Sequence, residues 1–394
     1  MDHVSTLAKS AGSNWKSEFA KTYKSLNQLA RVVTVTAPSE SDAFVIFETL
    51  NDRGADLTIA DLLKNYLFSR AGVDIAVIQE RWQSAQTILL EYQDEKEFVT
   101  FLRHLWISMY GATRERDMYR SMREKIKSRS DVASFSKSLV DGAKAYGALL
   151  STENDFWNGY SDQDLSFLSA LIQFNLQQSR PTLLACVQML PKAEIQRVLK
   201  AFVAIAVRGL VAGGIGGGQG ERYFGEAAVA IRSKAATTAA VVVAKLTPIT
   251  PSDTEFQRAF STFATGNNRF ARYLLIAIER ALETDPEPEY VPNEVADQVN
   301  LEHILPKNAK SADWPAFTND ERAIFPYRLG NMTLLQKGVN GKIGNKPWSF
   351  KKPGICGSKL KLNVDVCSQL DWRTGEIESR QLNLANMAVS IWRI

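Results

Sequence analysis

The sequence predicts a mainly α protein that ends in a small α+β domain, and three observations carry that prediction. From about residue 74 to 283, apolar side chains recur three and four residues apart in segment after segment, the pattern of helices that bury one face. Asp285-Pro286-Glu287-Pro288-Glu289 then breaks the pattern with alternating acids and prolines, which suit neither a helix nor a strand interior. Beyond that break the texture changes to short apolar strands, glycines and lysines. The expected organisation is an N-terminal segment 1–72, a helical domain 73–284 and a C-terminal domain 285–394.

Residues 1–30 read as an amphipathic helix, followed by a β-branched strand, Arg31-Val32-Val33-Thr34-Val35-Thr36, that Pro38 and the polar residues 39–42 break. Phe44, Ile46 and Phe47 recur at helical spacing up to the turn Asn51-Asp52-Arg53-Gly54. Thr58 is placed to cap the next helix, with Asp61 as an acidic partner in its first turn. Leu62, Leu63, Tyr66 and Leu67 give that helix its buried stripe, and Gly72 ends it. The helical region predicts helices over 98–110, 132–150, 165–178, 193–211 and 259–282. It shows no fixed period, so a repeat solenoid is not expected. The glycine run 213–220 lacks the Gly-Lys-Ser/Thr of a phosphate loop and follows a helix, so it reads as a flexible interhelical loop.

Composition narrows the function. The chain has 394 residues, 45% hydrophobic and 23% charged, as in ordinary globular proteins. No apolar run approaches the roughly 18 residues of a membrane span. Asp2, Lys9, Lys16 and Glu18 interrupt the first twenty residues, so no signal peptide is expected and the cytoplasm is the expected compartment. Cys186, Cys356 and Cys367 are too few and scattered for a disulfide framework, and Cys356 and Cys367 read as unliganded thiols. His3, His104 and His303 are the whole histidine complement, which excludes HExxH proteases, zinc fingers and multi-histidine metal centres.

Charge is unevenly spread. The 47 basic and 43 acidic residues leave a net +4, yet Ala323 to Val364 holds no Asp or Glu. That window carries Arg328, Lys337, Lys342, Lys346, Lys351, Lys352, Lys359 and Lys361, the footprint of a site for a polyanion such as DNA. Alone, the window reads equally well as a solvated lysine-rich surface.

The stretch that carries chemistry contains Asn300-Leu301-Glu302-His303-Ile304-Leu305-Pro306, then Tyr327-Arg328-Leu329-Gly330-Asn331-Met332-Thr333-Leu334-Leu335, then Asn340, Asn345 and Lys351. A strand ending in His303, a second strand headed by Gly330-Asn331 and a short polar helix with Asn340 resemble the HNH (ββα-metal) nuclease motif. Phosphodiester hydrolysis needs a base for the attacking water, which a neutral imidazole supplies near pH 7. It also needs a divalent cation against the charge that builds on phosphate oxygens, and a hard ion takes carboxylate and amide oxygens. The resemblance implies His303 as general base, Glu302 and Asn340 as ligands of Mg2+ or Mn2+, and Asn331 as the brace of the loop that orients His303. It gives Lys346 or Lys351 the task of steadying the reacting phosphate. Arg328, Lys337, Lys342, Lys346 and Lys352 are then the expected DNA contacts. Many HNH motifs have Asp before the histidine, where this chain has Glu302.

Residues 44–65, from Phe44 through Asn51-Asp52-Arg53-Gly54 to Asn65, resemble the closing part of the ParB-like N-terminal domain of GmrSD-type restriction proteins. Members of that family join such a domain to a helical middle and an HNH C-terminal domain of the Glu-His-Ile-Leu-Pro and Gly-Asn-x-Thr-Leu-Leu type. The tail from Trp372 to Trp392 is also similar. The resemblance implies defence against phage by cleavage of foreign or modified DNA. The family's nucleotide-associated Asp-Gly-Gln-Gln-Arg signature is absent, so residues 1–72 read as a remnant of the ParB-like domain and no nucleotide-binding residue is assigned. Either the chain is a fragment, a separate subunit supplies the missing half, or the protein works without nucleotide. The alternatives to a nuclease are a non-catalytic DNA-binding adaptor and a nucleotide-regulated sensor subunit of a defence system.

Overall fold

The computed structural model describes residues 14–29, 58–92, 95–283 and 299–394. The chain forms two compact units, Met1–Gly72 and Val73–Ile394. In the first, α1 (Trp15–Lys24) runs into a π turn (Ser25–Leu29), and α2 spans Ile59–Ala71. Thr58 Oγ1 accepts from the Asp61 amide and donates to the Asp61 carboxylate at 2.8 Å, the cap that the sequence suggests. Gly72 ends α2 at φ 59, a conformation that disfavours side chains. The expected strand at 31–36, the helix after it and the turn at 51–54 lie outside the described residues.

The second unit begins with eleven helices among the described residues: α3 (Ile75–Leu90), α4 (Glu95–Tyr110), α5 (Glu115–Lys125), α6 (Arg129–Ala148), α7 (Asp162–Phe174), α8 (Arg180–Met189), α9 (Lys192–Ala212), α10 (Gly217–Arg232), α11 (Ala239–Leu246), α12 (Asp253–Phe260) and α13 (Asn268–Leu282). Capping boxes start three of them: Ser128 with Asp131, Ser161 with Asp164, and Ser252 with Glu255. Helix α3 packs on α6, α8 on α10, and α10 on α4, around Phe101, Trp106, Phe135, Tyr146, Phe202 and Phe224.

Two expectations change here. The helix foreseen over 259–282 is two helices, because Asn267 caps α13 and residues 261–267 leave helical geometry. That break pairs elsewhere: the Thr265 amide donates to Tyr327 O at 2.8 Å and the Leu329 amide to Phe263 O. The glycine loop is also shorter than 213–220, since Gly217 already opens α10. Gly213 and Gly214 make the turn at φ 84 and 95, and a side chain at Gly220 would meet Ile215 O at 2.1 Å.

Downstream lie β1 (Val299–His303), α14 (Asn319–Ile324), β2 (Met332–Gln336), α15 (Lys337–Ile343), α16 (Trp348–Cys356), α17 (Val364–Ser368) and α18 (Thr374–Ile391). The strands form one antiparallel pair, with Val299 opposite Gln336 and His303 opposite Met332. Helix α13 covers both strands, and α18 lies against α12, α13 and the 3-10 turn Leu329–Asn331. A correction concerns the thiols. Helix α16 and helix α17 pack together and bring Cys356 and Cys367 to a Cα separation of 5.5 Å, where they are joined as a disulfide. No helix among the described residues is long and apolar enough to cross a membrane.

One buried polar network ties three helices together. Tyr146 Oη donates to Glu97 Oε1 at 2.9 Å, Arg180 Nη1 donates to both groups, and His104 Nδ1 lies 2.8 Å from Tyr146 Oη. Burial, then the charges of Arg180 and Arg103, push the His104 imidazole down to about 3. Unfolding exposes a histidine that protonates near 6.5, so this group's stabilisation is complete above that pH and is lost as pH falls toward 3. One such group contributes a slope of up to about 1.4 kcal/mol per pH unit. Urea denaturation between pH 6.5 and 4 should therefore show a shallower loss of stability in His104→Gln than in the unaltered protein. Identical slopes would contradict the neutral buried state.

Candidate functional site

His303 is the last residue of β1, and the backbone beyond it is tied by Asn331. The Ile304 amide donates to Asn331 O at 2.9 Å, and the Leu305 amide donates to Asn331 Oδ1 at 2.8 Å. Asn331 Nδ2 returns a bond to Leu305 O at 2.9 Å. Trp372 Nε1 adds a second donor to Asn331 Oδ1 at 3.0 Å. A fully buried amide with both ends occupied fixes where β1 stops and how β2 starts. Pro306 follows immediately.

Helix α18 holds the turn from behind. Arg380 Nη1 donates to Gly330 O at 2.9 Å and to Met332 O at 2.7 Å, while its Nε pairs with Asp365. Gln381 Oε1 accepts from the Gly330 amide at 3.1 Å and from Arg328 Nε at 3.0 Å, and its Nε2 donates to Phe260 O and Phe263 O. This close approach explains the glycine: a Cβ at Gly330 would stand 2.3 Å from Ile377 O. Sequence reasoning missed Arg380 and Gln381, and the family likeness of the tail from Trp372 to Trp392 was the one signal for them.

The residues expected at the reaction centre fall into two groups. Asn340, on α15, donates through Nδ2 to Leu301 O at 3.1 Å. That bond docks α15 on β1. Lys337, Lys342 and Lys346 are exposed on or just after α15, and Asn345 is exposed beside them. Glu302 and Lys351 are instead buried, at 6% and 1% exposure. The Lys351 ammonium bonds to Glu302 Oε1 and donates to His303 O at 2.7 Å. A lysine so enclosed presents no charge to a phosphate outside; it ties α16 to the strand that ends in His303. Two of the expected DNA contacts are also engaged internally. Arg328 donates to Gln381 and to Ser261 O, and Lys352 donates to Gln369 O at 2.6 Å.

Electrostatics favour a neutral imidazole. Burial, then the positive charges of Lys307 and Lys351, push His303 down to about 4, so the ring carries no proton charge near neutrality. Its Nε2 is buried without a hydrogen-bond partner among the described residues. Burial raises the Glu302 carboxyl against the opposing pull of Lys351, and burial lowers the Lys351 ammonium. No group of three or more His, Cys, Asp or Glu side chains suited to a metal occurs among the described residues. A hard cation that keeps most of its waters needs only one or two protein oxygens. The Glu302 carboxylate already shares its charge with Lys351.

The buried pair yields a direct prediction. Removing either charge alone leaves the other stranded, so Glu302→Gln or Lys351→Met should each cost about 3–5 kcal/mol. The double variant should lose clearly less than the sum in urea denaturation. Additive losses would mean that the two side chains do not act as a pair.

No curated protein matches the chain. Residues 250–387 match the family model described as GmrSD restriction endonucleases, C-terminal domain. The match takes in α12, α13, the strand pair and most of α18, the elements that tie the Gly330-Asn331 turn in place. The C-terminal region of this chain is thus similar to that of the GmrSD restriction endonucleases.

Proposed function

We propose that the chain is a metal-dependent endonuclease of the HNH type that nicks or cleaves DNA, acting in defence against phage or other foreign DNA. The observation that carries this reading is the His303 imidazole, held neutral at the end of β1 with an unpartnered buried Nε2, in a strand–strand–helix frame with Asn331 and Asn340. The similarity of residues 250–387 to a restriction endonuclease domain supports it.

In this reading His303 accepts the proton of the attacking water. Asn331 acts one step removed, by fixing the backbone on which the imidazole sits. Lys351 is likewise a positioning residue, since its ammonium holds the His303 carbonyl. Asn340, with Glu302, would hold Mg2+ or Mn2+, which supplies charge stabilisation on the scissile phosphate. Lys337, Lys342 and Lys346 surround α15 with exposed positive charge for the DNA backbone. DNA is the partner this reading implies. The engagement of Glu302 by Lys351 favours one rival, a DNA-binding adaptor without catalysis.

A plasmid-nicking assay separates the two. The protein should convert supercoiled plasmid with Mg2+ and fail in EDTA. His303→Ala, folded by circular dichroism, should lose roughly 100-fold or more, the scale of a removed general base. Asn340→Ala should greatly weaken the Mg2+-supported reaction. Plasmid that is bound but left intact with every divalent cation would establish the adaptor.

A further inference from the structure

A second basic feature lies away from His303 and outside the acid-free window. Helices α7, α9 and α13 and residues 391–393 enclose a cavity of about 320 Å³. Its walls include Lys200, Arg269, Arg272, Arg280 and Arg393, and no acidic side chain. Lys200, Arg269 and Arg393 are exposed and make no ion pair or side-chain hydrogen bond among the described residues. Val203, Ile276 and the buried Trp392 supply apolar lining. Gathering Lys200, Arg269 and Arg393 at one concavity costs mutual repulsion, which an anionic ligand relieves. Guanidinium groups suit phosphate in particular, through paired N–H donors. The volume lies at the lower end for pockets that hold small organic ligands, which leaves room for a sugar-phosphate unit.

The cavity is physically joined to the reaction centre. Arg272 Nε donates to Val299 O at 2.9 Å, so its wall is fastened to the first residue of the strand that ends in His303. Along β1 that separation is roughly 13 Å, at ~3.3 Å per residue.

We propose that this cavity binds a backbone phosphate of the DNA strand, remote from the phosphate at His303. The proposal rests on the nuclease reading for its choice of DNA as the source of the phosphate. It adds an anchoring site in the helical region, independent of the lysines around α15.

The test uses the full chain carrying His303→Ala, to prevent cleavage, and a labelled duplex of mixed sequence. Binding is followed by fluorescence anisotropy at several salt concentrations. Adding Arg269→Ala with Arg393→Ala should flatten the log–log salt slope by about one unit, at ~0.9 per phosphate contact. The control pair Lys125→Ala with Lys127→Ala, on and after α5, should leave the slope unchanged. An unchanged slope in the cavity variant, or equal flattening in the control, overturns the proposal. Calorimetric binding of inorganic phosphate that the cavity variant abolishes, without a change in DNA slope, would assign the cavity to a free anion and also overturn it. Plasmid nicking by protein that retains His303 is read separately. A flattened slope with intact plasmid removes the nuclease reading and leaves the cavity site standing; cut plasmid with an unchanged slope does the reverse.

Discussion

Both ends of the Asn331 amide are committed, and the geometry of the C-terminal region follows from where they point. The oxygen takes the Leu305 amide and the Trp372 indole, and the nitrogen gives to Leu305 O. Each of those partners is buried, so losing the amide would strand several polar groups at about 1–3 kcal/mol apiece. The same side chain therefore fixes the end of β1, the start of β2 and the seat of Trp372. Helix α18 adds a second layer through Arg380 and Gln381, which hold the carbonyl and amide of Gly330. The glycine is what lets that helix come close enough.

Around this turn, charge is sorted by depth. Glu302 and Lys351 face each other in the interior, while the lysines of and after α15 remain in water. A buried ion pair contributes little net stability, because desolvation offsets most of the attraction. Its effect here is on geometry and field. The ammonium orients the His303 carbonyl, and its positive charge joins that of Lys307 in keeping a half-buried imidazole unprotonated. An imidazole that is neutral across the physiological range can accept a proton without first losing one.

Much of this was legible in the sequence, and the remainder was not for identifiable reasons. Helical periodicity marks α4, α6, α7 and α9, because burial of one face imprints a local repeat. Thr58 and Asp61 announce α2 through a cap that spans four residues. The strand ending in His303, the strand after Gly330-Asn331 and the short helix with Asn340 read directly, because each is a short run whose own residues mark it. The Glu302–Lys351 pair joins residues 49 apart, and Arg380 acts on a turn 50 residues before it, so no local pattern reports either. Lysines 351 and 352 look alike in a basic window, yet α16 turns one inward. The split between α12 and α13 was written in Gly266-Asn267, but the long apolar run on either side outweighed it. The bond between Cys356 and Cys367 depends on how α16 and α17 pack, which spacing alone does not specify.

The turn at Asn331 and the interior charges hold the His303 imidazole in place and neutral. Histidine side-chain NMR tests it most directly, since the chain has three histidines and His303→Ala and His104→Gln spectra assign two of them. Following the His303 ring carbon shifts with pH should show one titration near about 4, with the neutral imidazole above it. A His303 ring that titrates near the ordinary 6.5 would contradict the account.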